Sequence, residues 1–303
     1  MTITDQIIRE MAANDKLDAQ VFKSDELDDF IYHNTVGLSQ SALKLFASDR
    51  NEYRLKYIDK VLKETETDTL LFGKMLHSFI LTPDEFLARS FSDTSISDLS
   101  RNSKKYRTEL NNLKLENEGK TFIKHETLNS LMQIHDLIKG NSLASTILYP
   151  ETDTLRDTEL SGFFKHFNML LKCRFDFIDH DRKIIADLKS TSDASAFYYS
   201  ALKYGYDWQQ YWYQMAAKKI YGQDYDFVFI VVDKKMQHPE QVLVTQYSKD
   251  DLEYTGKAVN KALADHMTLM DQYNEGKTHV LGDPFCIQTM PLPEQKKRSY
   301  ENL

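Results

Sequence analysis

Asp176-Phe177-Ile178-Asp179-His180-Asp181-Arg182-Lys183-Ile184-Ile185-Ala186-Asp187-Leu188-Lys189 is the stretch on which the reading of this chain turns. Two apolar runs flank a short polar break, the pattern of a β-hairpin. Strand side chains alternate faces, so Ile185, Asp187 and Lys189 share one side of the second strand. With an even loop, taken as Asp179 to Arg182, Ile178 pairs with Lys183 and Asp176 lies opposite Ile185. Opposed residues point the same way, and Asp176 then joins Asp187 and Lys189. An odd loop would turn it to the other side. Two carboxylates, helped by the Leu188 backbone carbonyl, suit a hard cation such as Mg²⁺ or Mn²⁺. Such an ion acidifies bound water and neutralises a phosphate oxygen, and Lys189 can orient that water or stabilise developing charge. A surface hairpin with solvated Asp and Lys is the bland alternative. The apolar embedding of Asp187 and the presence of Asp176 weigh against it.

Working outward, the pattern after Pro150 predicts strands over Phe163–Phe167, Met169–Ile178 and Lys183–Leu188. Helices follow near 193–203 and 207–221, then a buried strand Phe227–Val232, an edge strand Val242–Thr245 and a long helix over 250–275. The order β-β-β-α-α-β-β-α describes an α/β sandwich. Upstream the chain reads as helical. Ser39 caps a helix carrying Leu43, Leu45 and Phe46, and a second carries Tyr53, Leu55 and Tyr57. A strong amphipathic helix covers 67–80 and ends near Pro83. A short one lies around 104–115 and a single one over about 126–148. Residues 1–35, with acids at Asp25, Glu26, Asp28 and Asp29, read as a loosely attached leader with one short helix. The division expected is therefore 1–35, 36–150, 151–281 and an irregular tail over 282–303.

Composition narrows the class. The chain has 303 residues, 41% hydrophobic and 28% charged, which is ample for a core. No apolar run approaches the ~20 residues of a membrane span, and the polar start is no secretory signal. The two cysteines, Cys173 and Cys286, rule out a disulfide framework, a zinc knuckle or a four-cysteine iron–sulfur cluster within the chain, and point to a reducing cytoplasm. The net charge of −8 argues mildly against nucleic-acid binding, although metal-binding carboxylates add negative charge and a basic channel can sit in an acidic surface.

Two outlying motifs accompany the hairpin. In Phe72-Gly73-Lys74-Met75-Leu76-His77, Gly73 and His77 are four apart on the edge of a helical stripe. Gly73 would allow another backbone to approach, and His77 could offer a ring nitrogen to a metal. An ordinary boundary histidine is the alternative. Downstream, Gln209 and Tyr213 form a second i,i+4 pair beside Trp208, Trp212 and Met215. They could hydrogen-bond a phosphate or a metal-bound water, or simply edge an aromatic core helix.

The order G-x-x-x-H, D, D-x-K, Q-x-x-x-Y resembles the RecB-like branch of the PD-(D/E)XK nucleases, and most closely the exodeoxyribonuclease VIII (RecE) type of prophages and phage recombination modules. The matching stretches are Gly37–Ser41, Phe72–His77 with Leu81–Phe86, Lys172–Asp176, Ile185–Ser192 and Tyr204–Tyr213, within roughly residues 36–235. The resemblance implies a restriction-endonuclease-like core, with a mixed central sheet flanked by helices and a helical N-terminal part. It implies that His77, Asp176 and Asp187 bind Mg²⁺ (or Mn²⁺) with the Leu188 carbonyl. Lys189 would be the catalytic lysine, and Gln209 and Tyr213 accessory residues. The usual proline before the first acid is Phe175 here, which touches no ligand. Glu159 is a further carboxylate to which no role is assigned. The activity implied is 5′–3′ exonucleolytic hydrolysis of double-stranded DNA ends for recombination, in the cytoplasm of a bacterium or a phage-infected host. DNA is the partner, with room for a single-strand annealing protein and a homo-oligomer, and no membrane. The competing readings are a structure-specific endonuclease and an inactive DNA-binding or regulatory protein. Tyr198, Tyr199, Tyr204 and Tyr206 lie near the proposed site and some could stack on splayed bases, although core or interface packing explains most of them. The Lys296-Lys297-Arg298 tail could recruit a partner, but a disordered, solvated terminus is the favoured account.

Overall fold

The computed structural model describes residues 3–13, 18–62, 66–235 and 241–282. The chain opens with α1 (Ile3–Ala13), β1 (Ala19–Phe22), α2 (Asp29–Asn34), β2 (Leu38–Ser39), α3 (Gln40–Ser48) and α4 (Arg50–Tyr53, running on as a π-turn over Arg54–Ile58). Then come α5 (Asp68–Leu81), α6 (Pro83–Arg89), β3 (Ser90–Ser92), α7 (Lys104–Glu116), β4 (Thr121–Ile123), α8 (His125–Gly140) and α9 (Ser142–Leu148). The last part is β5 (Arg156–His166), β6 (Met169–Asp179), β7 (Ile184–Thr191), α10 (Phe197–Tyr204), α11 (Tyr206–Tyr221), β8 (Asp226–Asp233), β9 (Val242–Thr245) and α12 (Lys249–Asn274). The order after Pro150 is the one the hydrophobic pattern predicts.

Seven strands form one mixed sheet in the order β1-β5-β6-β7-β8-β9, with β2 attached in parallel to β6. β5 and β6 are joined through Phe167 and Asn168, both at positive φ (49° and 58°), the two-residue loop that matches strand twist. Helices cover both faces. On one, Phe175, Ile185, Phe227 and Phe229 pack with Trp212 of α11 and Val259 and Leu263 of α12. A Cβ on Gly256 would come within 2.6 Å of the Tyr211 ring, so only glycine lets α12 approach α11 this closely. On the other, Phe177, Ala186, Leu188 and Ile230 meet Leu76 and Ile80 of α5 and Ile134 and Ile147 of α8 and α9.

Four expectations need correction. Residues 1–35 are no loose leader, because β1 pairs antiparallel with β5 over Ala19–Phe22 and Ile8, Met11 and Leu27 are fully buried around Phe163. The helix read over 126–148 is two, since the Asn141 side chain accepts from the Ala144 amide and caps α9. A Cβ on Gly73 would meet nothing within 4 Å among the described residues, so none of their backbones approaches there. The hairpin loop is His180–Lys183, still even, with Asp179 opposite Ile184 and Ile178 opposite Ile185. The shift arises because Asp179 is a buried turn-holder: its carboxylate accepts from the Asp181 and Arg182 amides at 3.1 and 2.7 Å. The tail beyond Gly282 lies outside the described residues.

The β6–β7 ladder stops at Phe177–Ala186. Beyond it β7 turns away and continues along β8, while the first half of β6 takes β2 at Leu171 and Lys172 instead. The sheet is forked there. Asp176 and Asp187 are the first residues past the branch.

Candidate active site at the fork of the sheet

The fork leaves backbone groups unpaired, and side chains fill the gap. Asp176 Oδ2 accepts from the Leu188 amide at 2.9 Å, replacing the missing ladder bond. His77, on the last turns of α5, donates from Nε2 to the Leu188 carbonyl at 2.7 Å. Its Nδ1 lies 3.4 Å from Asp176 Oδ2 and 3.9 Å from Glu159 Oε1. From the opposite face, Lys189 Nζ stands 2.5 Å from Asp187 Oδ1, and Gln209 Nε2 of α11 donates to Asp187 Oδ2 at 2.5 Å. The structure therefore brings together His77, Asp176, Asp187, the Leu188 carbonyl, Lys189 and Gln209. Tyr213 sits one helical turn beyond Gln209, its ring edge-on to Phe175 at 5.5 Å, and lines the adjoining cavity.

Glu159 is the residue the sequence reading left without a role. It stands on β5 where the β5–β6 register leaves one place open, between Thr158↔Phe177 and Leu160↔Phe175, opposite Asp176. Its φ is +49°, a left-handed conformation that costs a non-glycine residue energy and marks sites where surroundings enforce it. Pleating reverses at this pair: Phe175 points into the core beneath α11, whereas Phe177 points into the one beneath α5. The kink turns Glu159 toward His77. Counting back from the Phe167–Asn168 turn would have placed Glu159 across from Asp176, had that turn been read as two residues.

Electrostatics follow from burial. Asp187 is 1% exposed, and burial pushes its carboxyl up to about 6, with Lys189 pulling down and Asp176 pushing further up. Asp176 is raised by burial, opposed by His77 and reinforced by Glu159. Burial would lower His77, but Asp176 and Glu159 outweigh it and lift the imidazole to about 9. Burial likewise works against Lys189, yet Asp187 and Asp176 keep its ammonium above its ordinary value. Tyr213 is held well above the usual phenol value by burial and the nearby acids, and stays neutral.

A donor set of one imidazole and three carboxylates suits a hard divalent cation. His77, Glu159 and Asp176 each offer a ligand atom within 4.8 Å of the others, a spacing one ion can bridge. A cavity of about 1000 Å³ opens beside Asp176, Gln209 and Tyr213 and runs past α3 toward Lys56, Tyr57 and Lys60. Lys172 borders it. Its buried ammonium, pulled down to about 8 by desolvation, donates to the Tyr32 and Thr35 carbonyls and ties α2 to β6. Among the described residues no helix is long and apolar enough to cross a membrane.

A mixed sheet that forks around buried acids and a D-x-K lysine is the architecture of the PD-(D/E)XK superfamily. The chain belongs to the family described as PDDEXK-like domain of unknown function (DUF3799), whose model matches residues 39–278. No curated protein matches. Among solved structures, the chain is similar to a candidate exonuclease from Eubacterium rectale, at 15% identity over 86% of this chain and 92% of that one, with a TM-score of 0.48. It is also similar to SSO0001, at 12% identity over 73% of this chain and 96% of that one, with a TM-score of 0.27. At these scores neither likeness bears on the chemistry.

Proposed function

We propose that this protein is a metal-dependent deoxyribonuclease, acting as an exonuclease on double-stranded DNA ends in the 5′–3′ direction, like the exodeoxyribonuclease VIII type it resembles. The observation that carries the reading is the meeting of His77, Glu159, Asp176, Asp187 and Lys189 at the fork, from α5, β5, β6 and β7. His77, Glu159, Asp176 and Asp187, with the Leu188 carbonyl, would hold Mg²⁺ or Mn²⁺. When bound, the ion supplies charge neutralisation at a phosphate oxygen and acidifies a water.

The side chains do the rest. Asp187 fixes Lys189 so that its ammonium points where phosphate charge develops, and the two acids keep it protonated. Gln209 holds the other Asp187 oxygen and sets the carboxylate plane. In the hydrolysis, a water oxygen bonds to phosphorus as the P–O3′ bond breaks; the water proton passes to the carboxylate cluster, and the departing 3′-oxygen takes a proton from solvent. The wider setting, DNA-end resection for recombination with an annealing protein in a bacterial or phage-infected cytoplasm, rests on the family resemblance.

The test is digestion of end-labelled duplex with Mg²⁺ and with Mn²⁺, beside a closed circular substrate. Loss of linear DNA with the circle intact is expected. Cleavage of circles would replace the exonuclease with an endonuclease, and inertness toward every DNA form would remove the nuclease.

A further inference from the structure

The catalytic lysine is the inner end of a row, two rings between two ammonium groups, that reaches the surface. Lys189 Nζ lies 4.9 Å from the centre of the Tyr206 ring. Behind, Tyr206 is stacked on Phe197 at 5.7 Å and Phe229 at 5.6 Å, so its plane is fixed by the core. Tyr204 stands next in the row, its ring 5.9 Å from Tyr206 and tilted by 31°. Lys203 Nζ lies 5.5 Å from the Tyr204 ring and ends the row.

The backbone sets the positions of the two tyrosines. Gly205, at φ 62°, closes α10 and opens α11, and this left-handed residue carries Tyr204 and Tyr206 on its two sides. The Tyr204 carbonyl accepts a bond from Lys44 Nζ of α3, 160 residues away. Lys44 in turn feels Lys189 as well as Asp207. Despite this anchoring the Tyr204 side chain is 49% exposed. The Tyr204 ring has Tyr206 beside it on the inner side and Lys203 near it, with Lys44 on its backbone carbonyl and Lys189 one ring further in, and its outer part stays open. A nucleic-acid strand suits both kinds of group: a base with a π-face for the ring, and phosphates for the cations.

We propose that Tyr204 is the stacking platform for an unpaired base, seated so that the adjoining phosphate reaches Lys189. This rests on the nuclease reading and sharpens it: at the duplex end the strand running to Lys189 enters with its terminal base freed from its pair and laid on the Tyr204 ring.

The experiment measures binding of the full chain, without divalent metal, to a fluorescent single-stranded oligothymidylate and to the same oligomer with abasic positions. Tyr204→Ala should weaken binding to the intact oligomer roughly tenfold, and Tyr204→Trp should restore it. Abasic DNA should bind wild type as weakly as it binds Tyr204→Ala, with no further loss on combining the two. Equal binding by Tyr204→Ala and wild type, or an abasic penalty that persists in Tyr204→Ala, would overturn the platform. If wild type still degrades duplex ends in Mg²⁺ in that case, the nuclease reading stands alone. If wild type neither binds nor cleaves, both fall. A fluorescence melting curve for Tyr204→Ala, paired with the Trp variant, separates a folding defect from a lost contact.

Discussion

Two buried aspartates on the same hairpin have opposite fates. Asp179, at the turn, is fully buried, and burial alone would raise its carboxyl. The Arg182 amide and guanidinium, together with Thr154, outweigh that and hold it below its ordinary value. Asp187, at the fork, is buried almost as deeply but receives only Lys189 and Gln209 while facing a second acid, and is pushed up to about 6. Burial does not distinguish a structural acid from a chemical one. The number of donors supplied does.

The comparison can be broken by exchanging the consequences of removal. The largest effect is expected from Lys189→Ala or Asp187→Ala, each lowering DNA hydrolysis by at least about 10²–10³-fold while circular dichroism and Tm stay near wild type. A collapse of the fold in both would make the fork acids structural. Asp179→Ala should do the reverse, costing about 3 kcal/mol in urea titration because the Arg182 guanidinium loses its buried partner, while the remaining folded protein keeps its specific activity. Loss of activity without loss of stability there would erase the distinction.

A third buried group sharpens it from outside. His266, 8% exposed and bonded through Nε2 to the Tyr53 hydroxyl at 2.8 Å, is lowered by burial to about 4. The unfolded chain therefore takes up the proton first. Stability is complete above about 6.5 and falls as pH drops toward 4, by about 2 kcal/mol between pH 6.5 and 5. Denaturant melts in chelator should show that slope shrinking in His266→Phe. An unchanged slope would assign the acid loss elsewhere. The smallest effect is Glu159→Gln, which should weaken Mn²⁺ in calorimetry by about tenfold, roughly 1.4 kcal/mol, and leave melting unchanged. Equal Mn²⁺ affinity would take Glu159 out of the donor set.

Much of this was legible in the sequence because it is local. Ser39 accepts from the Ala42 amide and starts α3, as its position before Leu43 and Phe46 predicts. Loop parity predicted Asp176 on the side of Asp187, but the ladder ends one pair short of the two acids and the pleat reverses there, so their proximity comes from the fork and not from strand register. What stayed hidden is non-local. Glu159 enters the site through a left-handed kink that no periodicity signals, opposite a residue seventeen positions later. β1 is four residues of edge strand among acids, and its pairing with Phe163 and Phe164 depends on a partner more than 140 residues away. His77 meets Asp176 across the fork, and only the family resemblance connected them.

β1 also bears on how the protein can be handled. The family match begins at residue 39, beyond β1 and Leu27. A chain trimmed to that boundary would bare the amides of β5 along Ser161–Phe164 and uncover Phe163. Such an edge recruits strands from other molecules. The trimmed protein would keep every fork residue and still be a poor reagent, lost to self-association before its chemistry could be measured.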